Sequence, residues 1–268
     1  MKKNIKIKEL FSSARRKVVL APHYDDFILS LGGLADSWQK NKVGVEDVII
    51  FSQTDFVSSD WLKNHQNLSK NITEISALRY QEELKVAEKL GQVEITKLGF
   101  LDAWLRNFKK IISGVDPLEF NDRDKEIISQ LSEPINFWLG QKIQLFVPLA
   151  IRFHQDHYLV REALMMALKT FEKPMAEIFF YEDLPYADTG NREWRPITSF
   201  IKKNKLIPLT YPINLKNKLA LIDYYPSQIN KAFYNGVINR SLKLALKSLT
   251  FRPSERIYFL PGNNVDLK

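Results

Sequence analysis

Cysteine is absent from the 268 residues. Disulfides, thiolate metal sites and cysteine nucleophiles are therefore excluded, and the cytoplasm is the expected compartment. No apolar run approaches the roughly 18 residues that a membrane helix needs, so no membrane span is expected. The first residues, MKKNIKIKELFSSARRK, are basic but hold neither an apolar stretch nor a small-residue cleavage site, and they are not read as a signal peptide. Neither a G-x-S-x-G elbow nor a G-x-x-x-x-G-K loop occurs, which leaves serine-hydrolase and nucleotide-hydrolase readings without a starting residue. No internal repeat, low-complexity run or linker divides the chain, so residues 1–268 are expected to form one domain.

What the sequence does hold is enough for a large core: 45% hydrophobic residues, with 17 Phe, 10 Tyr and 5 Trp. The net charge is +8. Its lysines are scattered, as in 39-QKNK-42, 201-IKKNK-205 and 216-KNK-218, without an accompanying aromatic-rich RNA motif. A solvated basic face is the simpler reading, and no nucleic-acid partner is expected.

Strand-length apolar runs alternate with segments of helical period. The strand candidates are 17–21, 46–52, 94–100, 143–149, 177–182 and 256–260. The first four are rich in Val, Ile, Leu and Phe with little alternation, as in strands covered on both faces. Helices are expected over 27–40, 73–91, 123–140, 157–172 and 228–249, with Pro134 bending or dividing the third and Gly236 breaking the last. The fold class is α/β, a mainly parallel sheet with helices on both faces, which binds ligands at the carboxyl ends of its strands. Residues 53–71 form a long aperiodic connection at that edge, either a lid or a solvated loop.

Of four histidines, three fall in 23-HYDD-26 and 154-HQDH-157, each just after a predicted buried strand. His65 stands alone in the long connection and is read as an exposed residue of no special role. A catalytic zinc takes three N or O ligands and keeps one position open. His23 and Asp26, three apart, can point the same way, and His157 can approach from the other strand. Asp25 is then left beside the metal as a spare carboxylate fit for a general base, with His154 across the open position as the acid. The competing reading makes Asp25, Asp26 and Asp156 helix caps beside surface histidines. Gly32 and Gly33 inside the first helix each cost about 1 kcal/mol relative to Ala, which points to close packing, with the sheet as the expected neighbour.

A strand followed by P-H-x-D-D, then G-G, then a distant H-x-D-H resembles the PIG-L/LmbE-like zinc deacetylases. The stretches RYQEELKVAEKLG (79–91), LGFLDAWLR (98–106), YEDLPYA (181–187) and KLALIDYYPSQI (218–229) extend the likeness through nearly the whole chain. The resemblance implies a Rossmann-like fold and removal of the N-acetyl group from an N-acetylated amino sugar. It implies zinc on His23, Asp26 and His157, and Asp25 as the base. His154 would protonate the amine or hold the oxyanion, with Asp156 orienting it, and Arg79 and Asp102 would contact sugar hydroxyls. Tyr24 and Phe27 depart from the frequent H-P-D-D-E. Arg152 stands where some relatives have an oxyanion tyrosine, which makes it the candidate donor there. Phe56 and Trp61 are candidates to stack on a sugar, and Lys63 and Lys70 to meet an anionic carrier. The rivals are hydrolysis of another amide on the same scaffold, and a non-catalytic sugar- or nucleic-acid-binding protein.

Overall fold

The structure, a computed structural model, describes residue 10 and residues 13–65, 71–106, 120–249 and 251–262. Seven strands form one sheet: β1 (Lys17–Ala21), β2 (Val45–Ile49), β3 (Val93–Lys97), β4 (Gln144–Pro148), β5 (Glu177–Tyr181), β6 (Ile207–Pro212) and β7 (Ser254–Leu260), in the order β3-β2-β1-β4-β5-β7-β6. The pairings from β3 to β5 are parallel, and β7 runs antiparallel to both β5 and β6. The sheet is thus mainly parallel, as the alternation of the sequence predicts. Every residue of β1, β2 and β4 is buried. Apolar runs account for this in β1 and β4, whereas β2 also buries Glu46 and Asp47. β3, expected to be covered on both faces, lies at the sheet edge and is only partly buried.

The helices are α1 (Asp26–Lys40), α2 (Ser59–Lys63), α3 (Ile72–Leu90), α4 (Asp122–Leu139), α5 (Gln155–Thr170), α6 (Asn191–Lys203), α7 (Leu215–Ile222) and α8 (Lys231–Lys247). The start of α3 is capped by Asn71, which accepts from Glu74 N–H, and its end is the expected glycine stop, Gly91 at φ +76°. Pro134 does not divide α4, and α8 runs unbroken through Gly236. A Cβ at Gly236 would stand 2.6 Å from Cβ of Pro185, so this glycine serves close packing rather than a helix break. β6, α2, α6 and α7 are additions to the sequence reading, α2 falling within the connection read as aperiodic. β6 pairs only with β7, and an edge strand tolerates its Pro208 and Pro212. Among the described residues no helix is long and apolar enough to cross a membrane.

Gly33 is close-packed, but against a different neighbour than expected. Its N–H donates to Glu255 Oε1 at 2.9 Å, and a Cβ there would lie 2.3 Å from Ile213 Cγ2. Glu255 also accepts from Lys218 Nζ at 2.6 Å and Tyr211 Oη at 3.1 Å, so a buried carboxylate tethers α1 to α7 and the antiparallel edge. Gly33→Ala is expected to lower stability by about 1–3 kcal/mol, the usual cost of overpacking, measured by urea unfolding.

A second buried polar group sits between β2 and α3. Asp47 and Glu83 are both fully buried and face one another, and Tyr225 Oη donates to Glu83 Oε2 at 2.9 Å. Burial drives both carboxyls well above their usual range, and the Asp47 charge adds to the shift of Glu83. The folded chain thus keeps protons that the unfolded chain loses near pH 4, and stability falls as pH rises above that value. Glu83→Gln keeps an acceptor for Tyr225 without the second charge. It should flatten that fall between about pH 5 and 8, read from unfolding midpoints across the range.

Candidate metal centre

Parallel strands bring their following loops to one edge, and the two histidine motifs meet there. In the β1–α1 loop, Asp26 Oδ2 accepts from the backbone N–H of His23 at 2.8 Å and stands 3.2 Å from His23 Nδ1. From the first turn of α5, His157 Nε2 comes to 3.3 Å from the same oxygen. His157 Nε2 is buried and, among the described residues, has no hydrogen-bond partner. Ligand atoms about 2.0–2.1 Å from a tetrahedral zinc stand about 3.3 Å apart, so this spacing and donor set fit such an ion.

The opposite ring nitrogens are also committed. His23 Nε2 meets Asp156 Oδ2 at 2.9 Å, and His157 Nδ1 meets Asp183 Oδ1 at 2.6 Å. A carboxylate behind each imidazole fixes the ring and leaves the inward nitrogen free to bind a cation. His23, His154 and Asp156 form a second convergent group, but there His23 Nε2 is already taken by Asp156. The capping reading fails on the same geometry: the Asp25 side chain makes no cap bond to α1, and α5 has no side-chain cap.

Asp25 Oδ1 instead accepts from Arg79 Nη2 at 3.0 Å. Asp156 departs from the expectation that it orients His154. It accepts from His23, from Ala103 N–H at 2.9 Å and from Arg106 at 2.7 Å, because the first turn of α5 directs it toward the β3 loop.

The connection that delivers the second motif is strained. Ala150, Arg152 and Phe153 have φ of 59°, 64° and 51°, left-handed conformations that cost non-glycine residues about 1–3 kcal/mol each. Ile151 N–H donates to Asp183 Oδ2 at 3.0 Å, and Arg161 donates to Leu149 O at 2.9 Å, which holds the turn in place.

Charge follows from this packing. Burial opposes a proton on His23 and His157, but their carboxylate neighbours outweigh it and raise them to about 9 and about 10. The same field that retains a proton there favours a metal cation. Asp26 lies well below the usual carboxylate range, because the two histidines outweigh its burial. Burial raises Asp25 against the pull of Arg79. Burial and the positive His157 and His23 take His154 down to about 3, so its imidazole is neutral near pH 7.

A cavity of about 380 Å³ opens over the group. His23, Asp25, Asp26, Arg79, Asp102, His154 and Asp156 line it, and His157 lies behind Asp26. Asp102 is held by Thr54 Oγ1 and by Leu105 N–H at 3.1 Å. Arg152, expected as an oxyanion donor, is half-buried and is not among the described residues that line the cavity. Phe56 lines the cavity, whereas Trp61 stacks on the exposed His65 with ring centroids 3.8 Å apart. Lys63 pairs with Asp60, and Lys70 lies outside the described residues. Asp183 and the cavity-lining Tyr186 were not singled out from the sequence. An acid directly after β5 follows the same strand-end rule that pointed to Asp25 and Asp26.

The chain is 30% identical over 178 residues to the 2'-N-acetylparomamine deacetylase of Streptomyces fradiae, a match that takes in 66% of this chain and 59% of that protein. The deacetylase of the teicoplanin biosynthesis pathway has the same fold, with a TM-score of 0.67 at 19% identity over 91% of this chain and 97% of that one. So does the N,N'-diacetylchitobiose deacetylase of Pyrococcus horikoshii, with a TM-score of 0.59 at 15% identity over 96% and 88%. The family described as GlcNAc-PI de-N-acetylase matches residues 18–168, and the chain belongs to this PIG-L family.

Proposed function

We propose that the protein is a zinc-dependent N-deacetylase that hydrolyses the acetamide of an N-acetylated amino sugar to acetate and free amine. The observation that carries the reading is the convergence of His23 Nδ1, Asp26 Oδ2 and His157 Nε2, with the carboxylate of Asp25 beside them and outside the ligand set. Family membership and the deacetylase names of the relatives support the same reaction. We read residues 1–268 as one domain acting in the cytoplasm, on the continuous sheet and the lack of cysteine.

Zinc held by His23, Asp26 and His157 supplies Lewis acidity toward the acetyl carbonyl and an acidified water. The remaining work falls to side chains. Asp25, with its other oxygen fixed by Arg79, takes a proton from the attacking water as the new C–O bond forms. His154 lines the cavity beside the ligand group, and its role is to donate a ring N–H to the developing oxyanion. As the C–N bond breaks, Asp25 returns its proton to the departing nitrogen, giving neutral amine and acetic acid, which ionise to ammonium and acetate with no net gain or loss of protons. Asp156 and Asp183 are positioning residues that hold the two metal-binding imidazoles. Arg79 and Asp102 face the cavity as groups to orient sugar hydroxyls.

Asp25→Asn should retain metal in elemental analysis while kcat for acetate release falls by about 10²- to 10⁴-fold, because an amide cannot accept the proton. Metal loss with retained activity would reverse the roles assigned to Asp25 and the ligands. Asp183→Asn removes the carboxylate behind His157. Zinc affinity, titrated against a competing chelator, should drop roughly 10- to 100-fold with the fold intact by circular dichroism.

A further inference from the structure

The cavity wall has two chemically different parts. Its inner part is polar, with Asp25, Asp26, Arg79, Asp102 and His154 buried and His23 half-buried. Its outer part is aromatic. Phe56 and Trp104 are 48% and 60% exposed, yet both line the cavity, and half-buried Tyr186 and Phe233 continue the apolar surface inward. These four rings come from four separate places: the loops after β2, β3 and β5, and the first turn of α8. Large rings left exposed where loops converge on a concave site mark a surface that a ligand covers.

The rim is built onto the polar floor. Phe56 N–H donates to Thr54 Oγ1 at 3.0 Å, and that hydroxyl donates to Asp102. On its other side the Phe56 carbonyl accepts from Gln228 Nε2 at 3.1 Å. The backbone that carries the ring is therefore fixed by the same network that fixes a polar group of the floor.

The charge on the wall has the opposite sign to that of the whole chain. Asp25, Asp26, Asp102 and Asp156 face the cavity, and Arg79 is the one Lys or Arg among the described residues that line it. Arg79 is already ion-paired with Asp25 at 3.0 Å. Among the described lining residues, carboxylates outnumber Lys and Arg side chains four to one. Among the described lining residues a phosphate would meet four carboxylates and a guanidinium already paired with one of them, whereas an uncharged ring would meet Phe56 and Trp104.

We propose that the substrate carries, beyond its amino sugar, an uncharged aromatic or aliphatic aglycone that lies across Phe56 and Trp104, and not a phosphate-bearing carrier. This inference rests on the deacetylase reading above. The test compares amine release from phenyl N-acetyl-β-glucosaminide, free N-acetylglucosamine and N-acetylglucosamine 1-phosphate by the zinc-loaded protein, Trp104→Ala and Phe56→Ala. The phenyl glycoside should exceed the free sugar in kcat/KM by roughly tenfold, mostly through KM, with the phosphate below both. Each variant should reduce the phenyl-to-free ratio by roughly three- to tenfold, at unchanged circular dichroism. Equal rates on the phenyl and free sugars, or a preference for the phosphate, would overturn the proposal. If no substrate releases amine, the deacetylase reading fails, and calorimetric binding of the same three compounds decides the aglycone question by itself. Tighter binding of the phenyl glycoside, weakened by Trp104→Ala, sustains the proposal, and tighter binding of the phosphate or no preference refutes it.

Discussion

One carboxylate oxygen, Oδ2 of Asp26, ties the two halves of the site together. It accepts from the backbone N–H of His23, faces the Nδ1 of that ring, and receives Nε2 of His157 from another strand end. An ionised carboxylate buried among imidazoles is costly to desolvate unless cations or hydrogen-bond donors surround it. Asp26 has both, and for that reason it remains a carboxylate and the histidines remain turned toward it. The β1 and β4 loops therefore converge on a point of negative potential, which is the requirement for a cation.

The arrangement extends one layer outward. Asp156 stands behind His23 and Asp183 behind His157, and each also accepts a backbone N–H, from Ala103 and Ile151 respectively. The rings are thus locked to loops after β3 and β5, so four strand ends contribute to the orientation of two imidazoles. The strained turn at Ala150–Phe153 is tolerated because Asp183 holds both the turn and the histidine that follows it. Stability is spent locally to set a ring in place, and the buried sheet makes it good.

Elsewhere the fold fixes the shape of the cavity. Glu255 draws Gly33, Lys218 and Tyr211 together, which anchors α1, the helix that begins at Asp26, against the antiparallel edge of the sheet. Gly236 lets α8 approach Pro185, and through that contact both Phe233 and the β5 loop reach the cavity. Polar floor and aromatic rim are therefore products of the same helix packing.

The sequence by itself determined β1 and β4, because their apolar runs suit a sheet covered on both faces, and it determined the two motifs, because His and Asp directly after such strands fall at one edge. It also carried α3 with its glycine stop, where periodicity and cap agree. β6 was not legible, since two prolines in six residues read as a loop until β7 supplies a single partner. Helix α7 is short, and the packing of its Lys218 against Gly32 came with it. Only tertiary structure decided the partners. Asp156 is two residues from His154 in sequence but bonds to His23, 133 residues away, and Asp183 meets His157 across 26 residues. Spacing along a chain fixes which side chains can share a helix turn. Which atoms meet across strands depends on sheet register and loop direction, and these are set by the packing of the whole chain.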